Sequence, residues 1–263
     1  MGDAFTNGPA VERVNVLGVG VSVLNLERAL AVMADAIANR RKGYITVTGV
    51  HGVTEAQDDE EFRRVLNGSF LCTPDGMPMV WMGKLAGHKK MDRVYGPDLM
   101  ELICEKGVAL GWKHFFYGGA PGVADELKGK LEKRFPGMQV VGTFTPPFRA
   151  LNAEEERVLG ELVTRTKPDL FWVGLSTPKQ ERFMAAYLPK LETTLMIGVG
   201  AAFDFHAGKV KQAPRWIQRS GLEWAYRVWQ EPRRLWKRYA RNNPLFVARV
   251  ILQKTGLRKY SLD

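Results

Sequence analysis

The chain has 263 residues, 45% hydrophobic and 25% charged, a balance that fits one large folded domain or a domain with an appendage and excludes a low-complexity or disordered protein. No apolar run approaches the roughly 18–20 residues that span a bilayer, and the N-terminus lacks the basic start and apolar stretch of a signal peptide. Charge is lopsided: residues 209–263 hold 14 Lys/Arg against 3 Asp/Glu, a net of +11 against +10 for the whole chain, so residues 1–208 sum to about −1.

The pattern along residues 1–208 alternates short β-rich apolar runs with segments of helical period. Strands are expected near residues 15–19, 44–48, 70–72, 114–117, 139–143, 170–173 and 194–197. Helices are expected over residues 26–41, 59–67, 77–85, 98–107, 123–135, 153–165 and 179–190. This alternation predicts an α/β fold, Rossmann-like, with a mostly parallel sheet whose ligands lie at the carboxyl ends of strands. After about residue 205 the pattern becomes helical and basic. Pro214, Pro232 and Pro244 each suit the first turn of a new helix, which predicts three short helices. The expected domains are an α/β catalytic body, 1–208, and a basic helical C-terminal appendage, 209–263. Four of the seven tryptophans (Trp216, Trp224, Trp229, Trp236) fall in that appendage. Basic and aromatic residues interleaved in this way fit an anionic, partly apolar surface such as a membrane interface, and also a nucleic acid.

Cysteine and histidine usage points away from metal chemistry. Cys72 and Cys104 lack CxxC spacing and read as buried, reduced thiols. The four histidines form no HExxH or similar set, and no DxD triplet occurs to hold a metal against a diphosphate. No metal and no cofactor is expected.

Three strand-end loops could meet a nucleotide. In His114-Phe-Phe-Tyr-Gly-Gly-Ala-Pro-Gly, Gly118 and Gly119 let the backbone approach a phosphate, or simply make a tight turn. In Gly174-Leu-Ser-Thr-Pro-Lys-Gln-Glu, Thr177 and Pro178 suit a helix start, and Gln180 with Glu181 can contact a base or sugar. In Gly198-Val-Gly-Ala-Ala-Phe-Asp, Asp204 is either a cap carboxylate or a ligand for a sugar hydroxyl. Phe203 stands where a dinucleotide fingerprint needs its third glycine, and Leu17-Gly-Val-Gly-Val-Ser fails likewise, which removes the main support for a nicotinamide enzyme. A fourth run, Phe70-Leu-Cys-Thr-Pro-Asp-Gly, ends an apolar strand on a single acid, Asp75.

These pieces occur in a specific order: Thr48, Thr73-Pro74-Asp75-Gly76, Arg93-x-x-Gly96-x-Asp98-Leu99, Gly118-Gly119, Pro178-Lys179-Gln180-Glu181, Gly198-Val-Gly-Ala-x-x-Asp204, Glu223-Trp224-x-x-Arg227 and Glu231-Pro-Arg-Arg234. The array, from about residue 14 to 240, resembles the WecG/TagA/CpsF family of bacterial glycosyltransferases (glycosyltransferase family 26). The resemblance implies a peripheral enzyme at the cytoplasmic face of the bacterial inner or plasma membrane. Such an enzyme moves a sugar from a UDP-sugar to a polyprenyl-diphosphate-linked saccharide for cell-surface polysaccharide, with inversion and without metal.

Carried over position by position, the family's general base falls on Asp75. Inversion by direct displacement needs a base to take the acceptor proton, a role a carboxylate fills for typically 10²–10⁴-fold. The departing UDP then needs cations. The resemblance puts these in the appendage, at Arg227, Arg234 and Lys237 or Arg238. Arg93 and Gln180 match family positions that face the donor pocket, Thr48, Gly118, Gly119 and Asp204 are further candidates for substrate binding, and Asp98 and Glu223 are instead expected as structural partners for arginines. One departure stands out: many relatives have Asn two residues after the Thr48 position, where this chain has Val50 followed by His51. The donor sugar is expected to be N-acetylmannosamine, its uronic acid or a glucose-like sugar, with UDP-sugar, lipid-linked acceptor and an anionic membrane surface as partners. The alternative, an α/β nucleic-acid binder using the basic tail, lacks recognised RNA-binding signatures, so no nucleic-acid partner is expected. Nothing in the sequence sets an oligomeric state.

Overall fold

The computed structural model describes residues 11–262, without the side chain of Arg234; residues 1–10, which open the segment read for a signal peptide, lie outside the described residues. In chain order the elements are β1 (Arg13–Val16), β2 (Val19–Ser22), α1 (Leu26–Ala38), β3 (Gly43–Thr48), α2 (Val50–Glu55), α3 (Glu60–Asn67), β4 (Leu71–Pro74), α4 (Met77–Leu85), α5 (Gly96–Leu110) and β5 (Lys113–Gly118). They continue as α6 (Val123–Arg134), β6 (Gln139–Phe144), α7 (Ala153–Thr166), β7 (Leu170–Gly174), α8 (Lys179–Tyr187), β8 (Leu195–Gly198), α9 (Ala202–His206), α10 (Arg215–Ser220), α11 (Glu223–Gln230) and α12 (Pro232–Lys254). The fold is α/β and Rossmann-like, as the alternation predicts. Six strands form one sheet in the order β4-β3-β8-β7-β5-β6, and the pairs β3/β8, β8/β7, β7/β5 and β5/β6 are parallel.

The chain divides into two compact units. The first takes Glu27–Thr46 and Gly96–Lys211; the second takes Val11–Leu26, Val47–Tyr95 and Gln212–Asp263. The basic C-terminal segment therefore shares a unit with the Thr48 and Asp75 strand ends.

In the first unit, Phe115, Tyr117, Phe171, Val173 and Met196 line a core closed by Leu159 and Val163 of α7 and Met184 of α8. Aromatic rings carry much of it, with Phe115 stacked on Phe171 at 4.9 Å and Tyr117 on Phe183 at 4.3 Å. Helix α7 starts where the sequence provides a capping box: Asn152 accepts from the Glu155 amide and Glu155 accepts from the Asn152 amide.

The second unit has its own core of Val14, Val16, Val19 and Val21 from the β1/β2 hairpin, Phe62 and Leu66 from α3, and Phe246 from α12. The hairpin replaces the single strand expected over residues 15–19. Its turn puts Leu17 (φ 53) and Gly18 (φ 78) in left-handed backbone, which is costly for leucine. Side chains distant in sequence hold it there: Asn67 and Gln57 donate to the Gly18 and Leu17 carbonyls at 2.9 and 2.7 Å.

The tail also departs from the three short helices expected. Pro214 and Pro232 do lie at helix starts, but Pro244 sits inside the 23-residue α12. Buried Leu235, Asn242 and Phe246 anchor that helix, and Ala240, whose carbonyl loses its usual donor, is exposed to water. Within this unit Asn242 bonds His51 at 2.8 Å, and Arg241 and Arg249 both pair with Asp58. Part of the tail's positive charge is thus spent on holding α12 to the α2 region.

Candidate active site

In the second unit the Thr48 and Asp75 strand ends are stitched together. The Asp75 amide donates to the Thr48 carbonyl at 3.0 Å. Gly49 permits this closeness, since a β-carbon there would lie 2.9 Å from the Asp75 carbonyl oxygen. Gly76 follows with φ 87 and ψ 153, a conformation open essentially to glycine, and starts α4. The Asp-Gly pair therefore ends β4 and aims the carboxylate.

Around Asp75 the unit gathers Arg93, Tyr95, Glu223 and Arg227. An Arg93 guanidinium nitrogen lies 3.8 Å from Asp75 Oδ1 and pairs directly with Glu223, while its other terminal nitrogen donates to Gln218 Oε1 at 3.2 Å. The guanidinium also stacks on Tyr95, 3.9 Å from the ring centroid. Burial disfavours the Arg93 charge, but Asp75 and Glu223 more than offset it and hold its pKa above the ordinary value. Burial, with Glu223 and Asp75, pushes the Tyr95 hydroxyl pKa well up, so this phenol stays protonated. Arg227 behaves as Arg93 does: burial opposes its charge, and Tyr239, Tyr95, Glu223 and Asp75 raise its pKa. Two carboxylates and two arginines whose charge is favoured thus surround one neutral phenol.

Lys237 is exposed, and Arg238 is half-buried over the Tyr239 ring at 5.2 Å. Arg234 lies in the first turn of α12, but its side chain is outside the described residues. His51 contacts Asn242 and stands 3.7 Å from Glu55.

The first unit carries a separate set. Gln180 and Glu181 are both buried at the start of α8, where Thr177 Oγ1 and Gln180 Nε2 donate to the same Glu181 oxygen at 2.8 and 3.0 Å. Pro178 is the N-cap, and Thr177 does not cap the helix, because its hydroxyl is engaged by Glu181. Gln180 Oε1 and Glu181 Oε2 have no hydrogen-bond partner among the described residues, and burial raises the Glu181 pKa against those two donors. The arrangement offers two acceptor oxygens to a hydroxyl or N–H of a ligand.

Gly118 and Gly119 have a mainly architectural account. A β-carbon on Gly118 would sit 2.6 Å from the Gly174 carbonyl oxygen, and the Gly119 amide already donates to that oxygen at 3.0 Å. Asp125 and Glu126 occupy the first turn of α6, which disfavours an anion at that helix start. Asp204 lies in the first turn of α9, whose N-cap is Ala201 without a side-chain bond, so Asp204 is not that helix's cap.

Among the described residues no group of three or more His, Cys, Asp or Glu is placed to hold a metal ion, and no helix is long and apolar enough to cross a membrane. Sequence reasoning left Tyr95 and Gln218 out of the site. Their only signal was nearness in sequence to Arg93 and Glu223.

The fold is that of a Rossmann-like α/β protein, with several of the candidate residues at or just after the ends of sheet strands, where ligands of such folds lie. The chain belongs to the WecG/TagA/CpsF family of glycosyl transferases, whose model matches residues 14–260. Among its relatives is the N-acetylglucosaminyldiphosphoundecaprenol N-acetyl-beta-D-mannosaminyltransferase of Bacillus spizizenii, 29% identical over 214 residues, 81% of this chain and 80% of the relative. The protein of the same name from Bacillus subtilis is 31% identical over 182 residues, 68% of each chain.

Proposed function

We propose that this protein transfers an N-acetylmannosamine-type sugar from a UDP-sugar to a polyprenyl-diphosphate-linked N-acetylglucosamine, with inversion and without a metal ion, at the cytoplasmic face of the membrane. The observation that carries the reading is the Asp75 carboxylate, at the end of β4, with Arg93 at 3.8 Å and Arg227 in its electrostatic field. The relatives' names support the sugar and the acceptor class. The absence of a DxD triplet supports a metal-free diphosphate site.

In this scheme Asp75 accepts the acceptor hydroxyl proton as its oxygen attacks the anomeric carbon. The bond to the UDP oxygen breaks on the opposite face, and Arg227, Arg234 and Lys237 or Arg238 neutralise the charge that develops there. Thr48 and Arg93 orient substrate groups near Asp75. Within the first unit, Gln180 and Asp204 are the candidates for polar contacts to a sugar or base, with Gln180 Oε1 suited to accept from a hydroxyl or N–H. The exposed Trp216, Trp224, Trp229 and Trp236, set among basic residues, support contact with an anionic membrane.

The test is a UDP-release screen across UDP-sugars with a short-chain prenyl-diphosphate N-acetylglucosamine acceptor, with and without chelator. Acceptor-dependent UDP release from the N-acetylmannosamine donor, unchanged by EDTA, is expected. Release with none of the donors, or loss of activity in EDTA, would sink the corresponding part of the reading.

A further inference from the structure

Outside the tail, the second unit exposes another apolar turn edged with cations. Trp81 and Leu85, one helical turn apart at the end of α4, are 46% and 72% exposed, with exposed Lys84 beside them. The loop that follows adds Lys89 and Lys90, both exposed. Met91 pins this loop to α4: it is buried, and a β-carbon on Gly83 would sit 2.0 Å from its sulfur. The His88 amide donates to the Gly83 carbonyl at 3.0 Å, and the Asp92 amide to the Leu24 carbonyl at 2.9 Å. Residues 84–91 carry three lysines and no acid, and the nearby Glu12 faces His88 at 3.6 Å. This turn is continuous with the start of the tail. Helix α10 packs against α4, and Gly221, in left-handed backbone at φ 80, lets the chain pass over the Trp81 ring, where a β-carbon would meet Cη2 at 2.6 Å. Leu222, the next residue, is exposed, and residues 212–222 hold Arg215 and Arg219 and no acid.

We propose that the Trp81–Leu85 turn and the loop bearing Lys89 and Lys90 form a second contact with an anionic lipid bilayer, joined to the tail at Gly221. This rests on the membrane reading of the tail. Single exposed apolar side chains are ordinary on a protein surface. Here an indole and a leucine share one turn with a lysine, and two more lysines follow on a fixed loop. Such a surface suits headgroup depth, where ring and aliphatic carbons enter the acyl boundary while ammonium groups meet lipid phosphates. A nucleic acid would use the lysines and gain nothing from Leu85, whereas a bilayer with anionic lipid uses both. The position of the turn also bears on catalysis. Helix α4 starts directly after Asp75 and Gly76, and at 1.5 Å per residue Trp81 and Leu85 lie about 6 and 12 Å along it from Met77. Seating this turn among headgroups therefore sets the height of Asp75 above the plane that holds a lipid-linked acceptor.

The experiment is co-sedimentation of the full chain with mixed phosphatidylglycerol/phosphatidylcholine vesicles and with pure phosphatidylcholine vesicles, each variant checked by thermal melting. Wild type is expected to bind the mixed vesicles and to bind the neutral ones more weakly. Leu85→Ser should weaken binding to the mixed vesicles by roughly 10-fold, and Lys84→Gln/Lys89→Gln/Lys90→Gln by at least about 30-fold. Removing the same charge from the first unit, as Lys106→Gln/Lys133→Gln/Lys190→Gln, should change it by less than about 3-fold. UDP release with acceptor embedded in mixed vesicles should fall along with binding, while release with a water-soluble acceptor stays at the wild-type level. Leu85→Ser and the loop triple variant, folded and binding the mixed vesicles as wild type does, overturn the inference, and so does a first-unit triple variant that binds as weakly as the loop one. Equal loss on the water-soluble acceptor also overturns it, since the defect would then lie at the catalytic centre. Wild type that binds neither vesicle instead removes the membrane reading of the tail, so the two failures are distinguishable.

Discussion

Gly49→Ala isolates how much turnover depends on where Asp75 stands. The backbone of Gly49 (φ −117, ψ −166) is extended and open to alanine, so no conformational penalty arises. The new methyl would meet the Asp75 carbonyl oxygen at 2.9 Å and Oδ2 at 3.6 Å, whereas ordinary contacts begin near 3.4 Å. The β4 end must yield by about 0.5 Å, and the obstacle is backbone, with no side-chain rotation to relieve it. Two hydrogen bonds pin that end, Asp75 to the Thr48 carbonyl and Val94 to the Pro74 carbonyl, each 3.0 Å. Overpacking of this kind costs about 1–3 kcal/mol of stability. A misplacement of 1 Å costs about 10²-fold in rate, so half of that costs roughly 10-fold in kcat. Initial rates of UDP release at saturating donor and acceptor, beside a thermal melt, measure both. Wild-type kcat in a variant whose melt confirms the strain would refute the reasoning, because Asp75 would have moved without consequence.

Three further outcomes are expected. Gly174→Ala places a methyl 2.4 Å from the Phe203 ring in a packed strand end, which should destabilise by about 1–3 kcal/mol in urea unfolding; no loss would mean that ring is free to move. His114 is buried, accepts a hydrogen bond from Trp172 Nε1 at 3.1 Å, and has its pKa lowered to about 3 by burial. The unfolded chain therefore binds the extra proton first, and the stability this histidine contributes is present above about pH 6.5 and lost as pH falls toward 3. His114→Asn should flatten the acid side of the stability–pH curve, and an equally steep curve in the variant would contradict this. Trp216→Ser with Trp229→Ser, at positions 71% and 75% exposed, should abolish binding to anionic liposomes while sparing turnover on a water-soluble acceptor; undiminished liposome binding would dismiss the tail as the contact.

Most of the sheet was legible because buried parallel strands leave apolar runs bounded by glycine and by helix starts. The 17–18 turn was hidden because a leucine carries the left-handed position, and the residues that hold it, Gln57 and Asn67, are far along the chain. Pro244 misled for a related reason: tertiary packing around Leu235, Asn242 and Phe246 outweighs a local helix breaker. That packing also changes what truncation can test. Phe246 belongs to the second unit's core, so deleting residues 209–263 would remove core as well as charge.

At the site, Asp75 and Arg93 could be picked out from motif order, and Glu223 already stood as a possible partner for an arginine. Their arrangement could not be read, since Glu223 lies 130 residues from Arg93 and its carboxylate reads as one acid in a basic tail. The Gly118–Gly119 pair reads as a phosphate turn or a tight turn, and the close approach of Gly174 to Gly118 gives the tight turn a physical reason.

The most direct test of the account is single-turnover UDP release by Asp75→Asn on the lipid-linked acceptor. The substitution keeps the shape of the side chain and the backbone hydrogen bond to Thr48, and removes the carboxylate's charge and with it its ability to take a proton. The account predicts an unchanged melting temperature, donor binding within about 3-fold, and a rate lower by at least roughly 10²-fold. A folded variant that releases UDP at the wild-type rate would contradict it.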